Sequence, residues 1–284
     1  MPADLLAAAS ALVAAVLWGA GDFGGGMAAK RLPVFVVLFG AQVIGLAGAV
    51  AAALLAGEAL PAPGDAAWAA AGAVFGSVGL AGLYRALADG RMAIVAPITG
   101  RLAAIIPVGV GFATAGVPGP VRLAGFGLAL VAIVLVSIAD DGTTGRGGLA
   151  LAVGAGVAFG LYSTCVGQVE QGVFGPLAVA RATSSVLTLL VVVALRTPVP
   201  TALRGQRAAG GLVALVGVLD LAGNAMFLLA AQGGGLALAA ALGSLYPVAT
   251  VVLAALILRE PLGRVHGAGV VAAAIAALLV TGAG

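Results

Sequence analysis

The sequence predicts an all-α membrane protein with ten transmembrane helices, arranged as two inverted five-helix repeats. Charged residues are only 8% and hydrophobic residues 62% of the 284 residues, and the mean hydropathy is +1.22. A soluble domain carries roughly 25% charged residues, which cover its surface. This chain is too poor in charge for such a surface, so most of its exterior is expected to face lipid.

Ten apolar runs are long enough to cross a bilayer, since a helix needs about 20 residues to span about 30 Å of hydrocarbon. Apolar and polar residues do not alternate, and the runs are too long for barrel strands. Helices are therefore expected, because each backbone N–H in lipid must be bonded within its own segment. The predicted boundaries are 5–26, 33–56, 66–88, 92–114, 120–139, 148–169, 174–195, 209–231, 235–258 and 263–283.

The two halves of the chain resemble each other in short stretches that occur in the same order. Residues 122–127 (RLAGFG) are echoed 142 positions later by residues 264–269 (RVHGAG). Weaker echoes pair 18–19 with 159–160, 83–84 with 226–227, and 106–108 with 246–248. The predicted repeats are residues 1–142 and 143–284. Because five crossings is an odd number, the second repeat enters the membrane inverted, which is typical of secondary transporters.

Basic residues lie mainly in the odd-numbered connections. By the positive-inside rule, this distribution places those connections in the cytoplasm and both termini outside. The residues on that side are Lys30, Arg31, Arg91, Arg146, Arg196, Arg204, Arg207, Arg259 and Arg264, whereas the opposite side holds Arg122.

Several stretches are similar to a known family over the whole chain. They are 17–19 (LWG), 83–87 (LYRAL), 92–98 (MAIVAPI), 245–248 (LYPV), 259–262 (REPL) and 267–269 (GAG). With these motifs the chain resembles the EamA-type permeases of the drug/metabolite transporter superfamily. The resemblance implies ten helices, a 5+5 inverted repeat, export or exchange of small metabolites, often amino acids, and cytoplasmic termini. It also implies a central cavity lined by helices one, three, four, six, eight and nine. The first half departs from the pattern, with 116–118 (GVP) where the second half has 259–261 (REP).

Charged residues inside the predicted spans need a reason, because each costs about 2.5–3.5 kcal/mol at the bilayer centre. Asp220 and Asn224 share one face of helix eight. Asp220 indicates either a functional carboxylate in the cavity, which accepts a proton or binds an amine, or a structural hydrogen-bond partner between two helices. Arg101 in helix four would hold a substrate carboxylate, pair with Asp220, or cap carbonyls next to the prolines, and the structural readings are favoured. Asp22 is assigned either to the cavity, with possible proton coupling, or to the interface. Arg181 is interpreted as an interfacial anchor.

Four aromatic residues also lie on segments expected to face the cavity: Trp18, Tyr84, Phe227 and Tyr246. Their rings would suit an apolar or cationic solute, or would serve ordinary helix packing. Pro107 and Pro247 occupy matched positions in helices four and nine, and they predict either hinges or static kinks.

The remaining composition restricts the function classes. The chain has one cysteine, one histidine and no P-loop, so no metal site, cofactor or catalytic residue is predicted. Scattered basic residues do not favour nucleic acid as a partner. We expect a non-enzymatic secondary transporter in the bacterial cytoplasmic membrane, as a monomer or homodimer among lipids, which carries an amino acid or similar amphipathic solute. The alternatives are a membrane-embedded enzyme acting on a lipid or isoprenoid phosphate, and an assembly partner without transport activity.

Overall fold

A computed structural model describes residues 3–88, 92–136, 146–197, 207–258 and 263–282, and within these ranges the chain forms helices and no strand. This confirms the all-helical class. The helices are α1 Ala3–Ala29, α2 Val34–Ala56, α3 Pro63–Ala88, α4 Met92–Ala115, α5 Pro120–Val136, α6 Arg146–Val166, α7 Phe174–Ala194, α8 Arg207–Gly234, α9 Leu236–Gly243, α10 Tyr246–Leu258 and α11 Arg264–Gly282.

Each of the ten predicted segments is found as a helix, but the ninth is divided into α9 and α10. The division falls at Ser244 and Leu245, so that Pro247 is the second residue of α10. Proline has no N–H for the carbonyl four residues earlier, which here belongs to Gly243, and its ring crowds that carbonyl. The Ser244 hydroxyl donates to the carbonyl of Ala240 at 2.6 Å. The break therefore follows from the local sequence.

Within the described ranges, seven helical spans are long and apolar enough to cross a membrane by length and composition, and they support a multi-pass membrane protein. The spans are Asp4–Ala29, Val34–Ala56, Pro63–Arg85, Phe174–Ala194, Arg207–Gly234, Leu236–Ile257 and Arg264–Thr281. Shorter apolar stretches lie in the other three helices: Leu102–Ala115 in α4, Pro120–Val136 in α5 and Val153–Val166 in α6. Large apolar side chains such as Leu55, which is 90% exposed, cover the outside of the bundle.

The most extensive helix contacts join the two halves of the chain. α1 packs on α8, and α3 packs on α6. α4 packs on α6, while α1 packs on α9 and α10. α2 packs on α7, and α5 packs on α11. The halves are thus interleaved, and neither forms a separate body.

Several contacts define one end of the bundle, here called the N-terminal side. Asp4 near the start of α1 forms an ion pair with Arg122 near the start of α5. Glu58, which follows α2, accepts hydrogen bonds from the backbone N–H groups of Val173 and Gly175 at the start of α7. The connections 57–62 and 167–173 therefore meet at this side.

Candidate functional site

A cavity lies inside the bundle and is lined mainly by apolar and aromatic side chains, with three charged residues among the described ones. It offers about 80 Å³ to the centres of water-sized spheres. A single water needs about 10–15 Å³ by this measure, so the space suits several waters or one small solute. All six segments that were predicted to line the cavity contribute to its walls. They are α1, α3, α4, α6, α8 and the divided ninth segment, and α2 and α7 contribute as well.

A buried ion pair stands at the wall formed by α2, α7 and α8. Nη1 of Arg181 lies 2.5 Å from Oδ2 of Asp220 and 2.6 Å from Oε1 of Gln42. The side chains of Arg181 and Asp220 are only 4% and 16% exposed. Removing charges from water is expensive, and this arrangement offsets the cost by pairing them and adding a hydrogen bond.

This geometry corrects one sequence interpretation. Arg181 is not an interfacial anchor, because it is 3% exposed and bonded inside the bundle. Asp220 has Arg181 as a partner, and its pairing with Arg101 stays a prediction. Arg101 belongs to α4, but its side chain lies outside the described residues.

The two remaining nitrogens of Arg181, Nε and Nη2, are buried and have no hydrogen-bond partner among the described residues. A Cβ added at Gly45 would lie 3.2 Å from Arg181 Nε, so the guanidinium packs directly on the backbone of α2. A glycine at position 45 therefore permits the buried position of the arginine.

An aromatic cluster lies around Trp18, which contacts α8 one helical turn beyond Asp220. Its indole Nε1 donates to Oδ1 of Asn224 at 2.7 Å. Its ring lies 5.2 Å from the ring of Phe227 and 6.4 Å from that of Tyr162, between centroids. A Cβ at Gly223 would lie 2.6 Å from Trp18 Cδ1, so this glycine lets the indole lie against α8.

Asp22 lines the cavity one helical turn beyond Trp18 on α1. It is half-buried and makes no hydrogen bond or ion pair within the described part of the chain. Tyr246 also lines the cavity, and its hydroxyl is buried without a partner among the described residues. Both side chains therefore retain hydrogen-bonding capacity that the described residues do not use.

Tyr84 lies elsewhere. It is 2% exposed and does not line the cavity. A Cβ added at Gly25 would lie 2.2 Å from its Cζ, so the tyrosine ring packs against α1. Among the predicted site residues, the structure brings together Trp18, Asp22, Asp220, Asn224, Phe227 and Tyr246.

Among the described lining residues, six polar ones had not been predicted as site residues: Gln42, Tyr162, Ser163, Arg181, Ser184 and Ser244. A sequence signal existed for Arg181 and Gln42, because each is a strongly polar side chain inside an apolar span. Tyr162 gave no comparable signal, since a tyrosine in a helix is compatible with ordinary packing.

The N-terminal side of the cavity is covered by the connection 167–173. Glu58 and Asp65 accept hydrogen bonds from its backbone and from the start of α7, with 2.9 Å from Gly175 N to Glu58 and from Glu170 N to Asp65. Gln232 of α8 donates to the carbonyl of Gly172 at 3.0 Å. Val169 in this connection lines the cavity.

Comparison with known proteins gives a family for the second half and a fold for the whole. Residues 146–282 match the EamA-like transporter family. A solved crystal structure is similar over 98% of this chain and 98% of its own, with a TM-score of 0.75 and 18% sequence identity, which shows a shared fold. Among curated proteins, none matches the sequence. Residues 146–282 of this multi-pass membrane protein are therefore similar to the EamA-like transporter family, which is the family that the sequence motifs had indicated.

Proposed function

We propose that this protein is a secondary transporter that exports a small amphipathic metabolite across the bacterial cytoplasmic membrane by alternating access. The carrying observation is a partly polar cavity, lined by Trp18, Asp22 and Asp220, inside a bundle whose exterior is apolar. Charges within a membrane bundle are costly and are characteristic of substrate or ion pathways. The match of residues 146–282 to a transporter family supports this assignment.

We further propose that residues 1–142 and 143–284 are inverted repeats. The helix contacts support this proposal, because the pairs are preserved when the halves are exchanged. The pair α1·α8 becomes α6·α3, and the contact of α4 with α6 becomes that of α9 and α10 with α1. The pairs α2·α7 and α5·α11 exchange with themselves. Such a pseudo-twofold arrangement places the substrate site between the repeats.

The packing also indicates which helices would move together. α1 packs on α8, α9 and α10, and α8 also contacts α9, whereas α3, α4 and α6 contact one another. Each group combines helices of both halves. Alternating access is therefore proposed to move these two mixed groups around the cavity, with α2·α7 and α5·α11 at its flanks.

Pro247 is the proposed bending point in the group that contains α9 and α10, because the helix is already divided beside it. Pro107 lies within the continuous helix α4. Pro107 is the proposed counterpart of Pro247 in the group of α3, α4 and α6. Since α4 is continuous in this structure, it would bend at Pro107 only during transport.

The sequence favoured an amino acid because Arg101 and Asp220 would meet a zwitterion together. Since Asp220 is bonded to Arg181, the proposal is kept at a small amphipathic metabolite. Proton coupling remains a proposal for Asp220 and Asp22, and the absence of a described partner makes Asp22 the better candidate.

Counterflow in proteoliposomes tests the proposal. Purified protein is reconstituted, vesicles are loaded with one unlabelled solute from a panel of amino acids and amines, and entry of the labelled solute is followed. Saturable counterflow that is absent from protein-free vesicles is expected for at least one solute. The same protein with Asp22→Asn and Asn224→Leu should lose it. Lack of counterflow for the whole panel, with correctly folded protein, would count against transport.

A further inference from the structure

The cavity contains one charged side chain that no other described residue balances. Arg181 and Asp220 neutralise each other at 2.5 Å. Asp22 lines the same cavity without a hydrogen bond or ion pair in the described ranges. When both carboxylates are ionised, the single guanidinium balances only one of them, and a cation beside Asp22 would stabilise the second charge in this apolar environment.

Aromatic rings stand next to this carboxylate. Trp18 precedes Asp22 by four residues and so shares its face of α1. The rings of Tyr162 and Phe227 contact Trp18, with centroids 6.4 and 5.2 Å away. Tyr246 adds a fourth lining ring. The face of an aromatic ring is electronegative and attracts ammonium groups, most strongly when water is excluded.

The cavity offers no matching site for a carboxylate among its described residues. Its only described cation is Arg181, whose Nη1 already donates to Asp220 and Gln42. The other two guanidinium nitrogens, Nε and Nη2, have no partner among the described residues, but both atoms are buried and so are closed to a solute in the cavity. Among the described residues, a solute therefore meets a carboxylate without a partner and no guanidinium nitrogen that is both accessible and unpaired.

From this asymmetry we infer that Asp22 and Trp18 form the binding site for the ammonium group of a small organic cation, so the preferred solute is an amine without a carboxylate. The inference rests on the proposed transport function and names its substrate class. The ammonium lies between the Asp22 carboxylate and the indole face, and its apolar remainder packs against Phe227.

Three solutes with one carbon skeleton separate the possibilities. Isoamylamine is a cation at neutral pH, leucine is the same skeleton with an added carboxylate, and 3-methylbutan-1-ol lacks the charge. The chain has two tryptophans, and Trp68 is exposed on the outside of the bundle. Replacing it by Trp68→Phe leaves Trp18 as the sole indole, so its fluorescence reports occupancy of the cavity in the full-length protein.

Saturable quenching by isoamylamine is expected, with leucine at least about tenfold weaker and the alcohol weaker still. Asp22→Asn should reduce amine affinity by about 10–100-fold, as expected for loss of a charged partner. Glu170→Gln removes an exposed carboxylate outside the cavity and should leave the affinity unchanged.

Equal or tighter binding of leucine would overturn the inference, as would unchanged amine affinity in Asp22→Asn or no saturable amine binding at all. Should Asp22→Asn not fold, the ranking of the three solutes by the parent protein still decides. Flux in proteoliposomes is measured separately. Amine binding without any flux would contradict the proposed transport, whereas flux of leucine without amine binding would contradict only the substrate class.

Discussion

Arg181 on α7 and Asp220 on α8 form a buried ion pair, with 2.5 Å between Nη1 and Oδ2. Gln42 on α2 binds the same nitrogen. Three helices from both halves of the chain thus meet at one guanidinium, at the wall of the cavity. The pair determines which charges in the cavity are already neutralised and which are available to a solute.

Breaking this pair from one side should be strongly destabilising. Arg181→Gln leaves Asp220 buried without its counter-charge, and we expect a loss of about 3–5 kcal/mol in the free energy of unfolding. The double variant Arg181→Gln/Asp220→Asn removes both charges and should recover much of that loss. Unfolding of all variants in detergent gives the coupling energy, and simple additivity of the two single losses would contradict the pairing.

Two glycines on α1 should respond differently to alanine. A Cβ at Gly19 would lie 2.6 Å from both Ala249 Cβ and the carbonyl oxygen of Tyr246, so Gly19→Ala should cost about 1–3 kcal/mol through overpacking. At Gly21 the nearest atom is Leu219 Cβ at 3.8 Å, and Gly21→Ala should be neutral or stabilising by up to about 1 kcal/mol through helix propensity. Melting temperatures compare the two. Equal destabilisation would show that α1 does not lie this close to α10.

Trp18→Phe should destabilise the protein and weaken solute binding. It removes the N–H donor of the 2.7 Å hydrogen bond and leaves the carbonyl of the buried Asn224 without its partner, at a cost of about 1–3 kcal/mol. Trp68→Phe, on a residue that is 45% exposed, should change stability by less than about 0.5 kcal/mol. A thermal shift of equal size in both variants would argue against the hydrogen bond.

Glu58→Ala should loosen the connection that covers the N-terminal side of the cavity. Glu58 accepts hydrogen bonds from Val173 and Gly175, and losing them favours local opening. Cys165 is the sole cysteine and is buried below this connection. In Glu58→Ala, the rate at which a maleimide labels Cys165 should rise by about tenfold. Glu170→Ala is the matched control, because within the described ranges Glu170 is bonded through its backbone N–H and not through its side chain. Unchanged labelling in Glu58→Ala would exclude this role.

Pro247→Ala should slow transport more than it weakens binding. Alanine restores an N–H for the carbonyl of Gly243 and favours continuation of α9 into α10. The proposed bending point would then be stiffer. We expect a reduction of counterflow of about tenfold or less with little change in solute affinity, since such conformational steps limit turnover. An equal loss of counterflow and of solute affinity would indicate that Pro247 has a static packing role.

The helical segments were predictable from the sequence. Whether lipid solvates a segment depends on the composition and length of that segment, and not on distant residues. The start of α5 at Pro120 and the end of α2 at Gly57 are likewise local, since proline and glycine have restricted or permissive backbone angles. Proline chemistry also explains the break before Pro247, although the sequence predicted an unbroken helix there.

The site was only partly predictable, because its contacts join residues that are distant in the chain. Asp220 and Asn224 stood out as polar residues in an apolar span, and both line the cavity. Nothing local indicated that Asp220 pairs with Arg181, or that the ring of Tyr84 packs on Gly25 outside the cavity. Helix rotation and pairing decide such contacts.

By itself, the sequence determined that this chain lies in a membrane as a series of apolar helices, because composition and run length fix the solvent of each segment. Only the tertiary structure decided which charges are neutralised. The helix pairs bring Trp18 beside Asn224 and Arg181 beside Asp220, and they leave Asp22 without a described partner. The physical reason is that the energy of a buried charge depends on what the packed helices place within a few ångströms of it, whatever the separation along the chain.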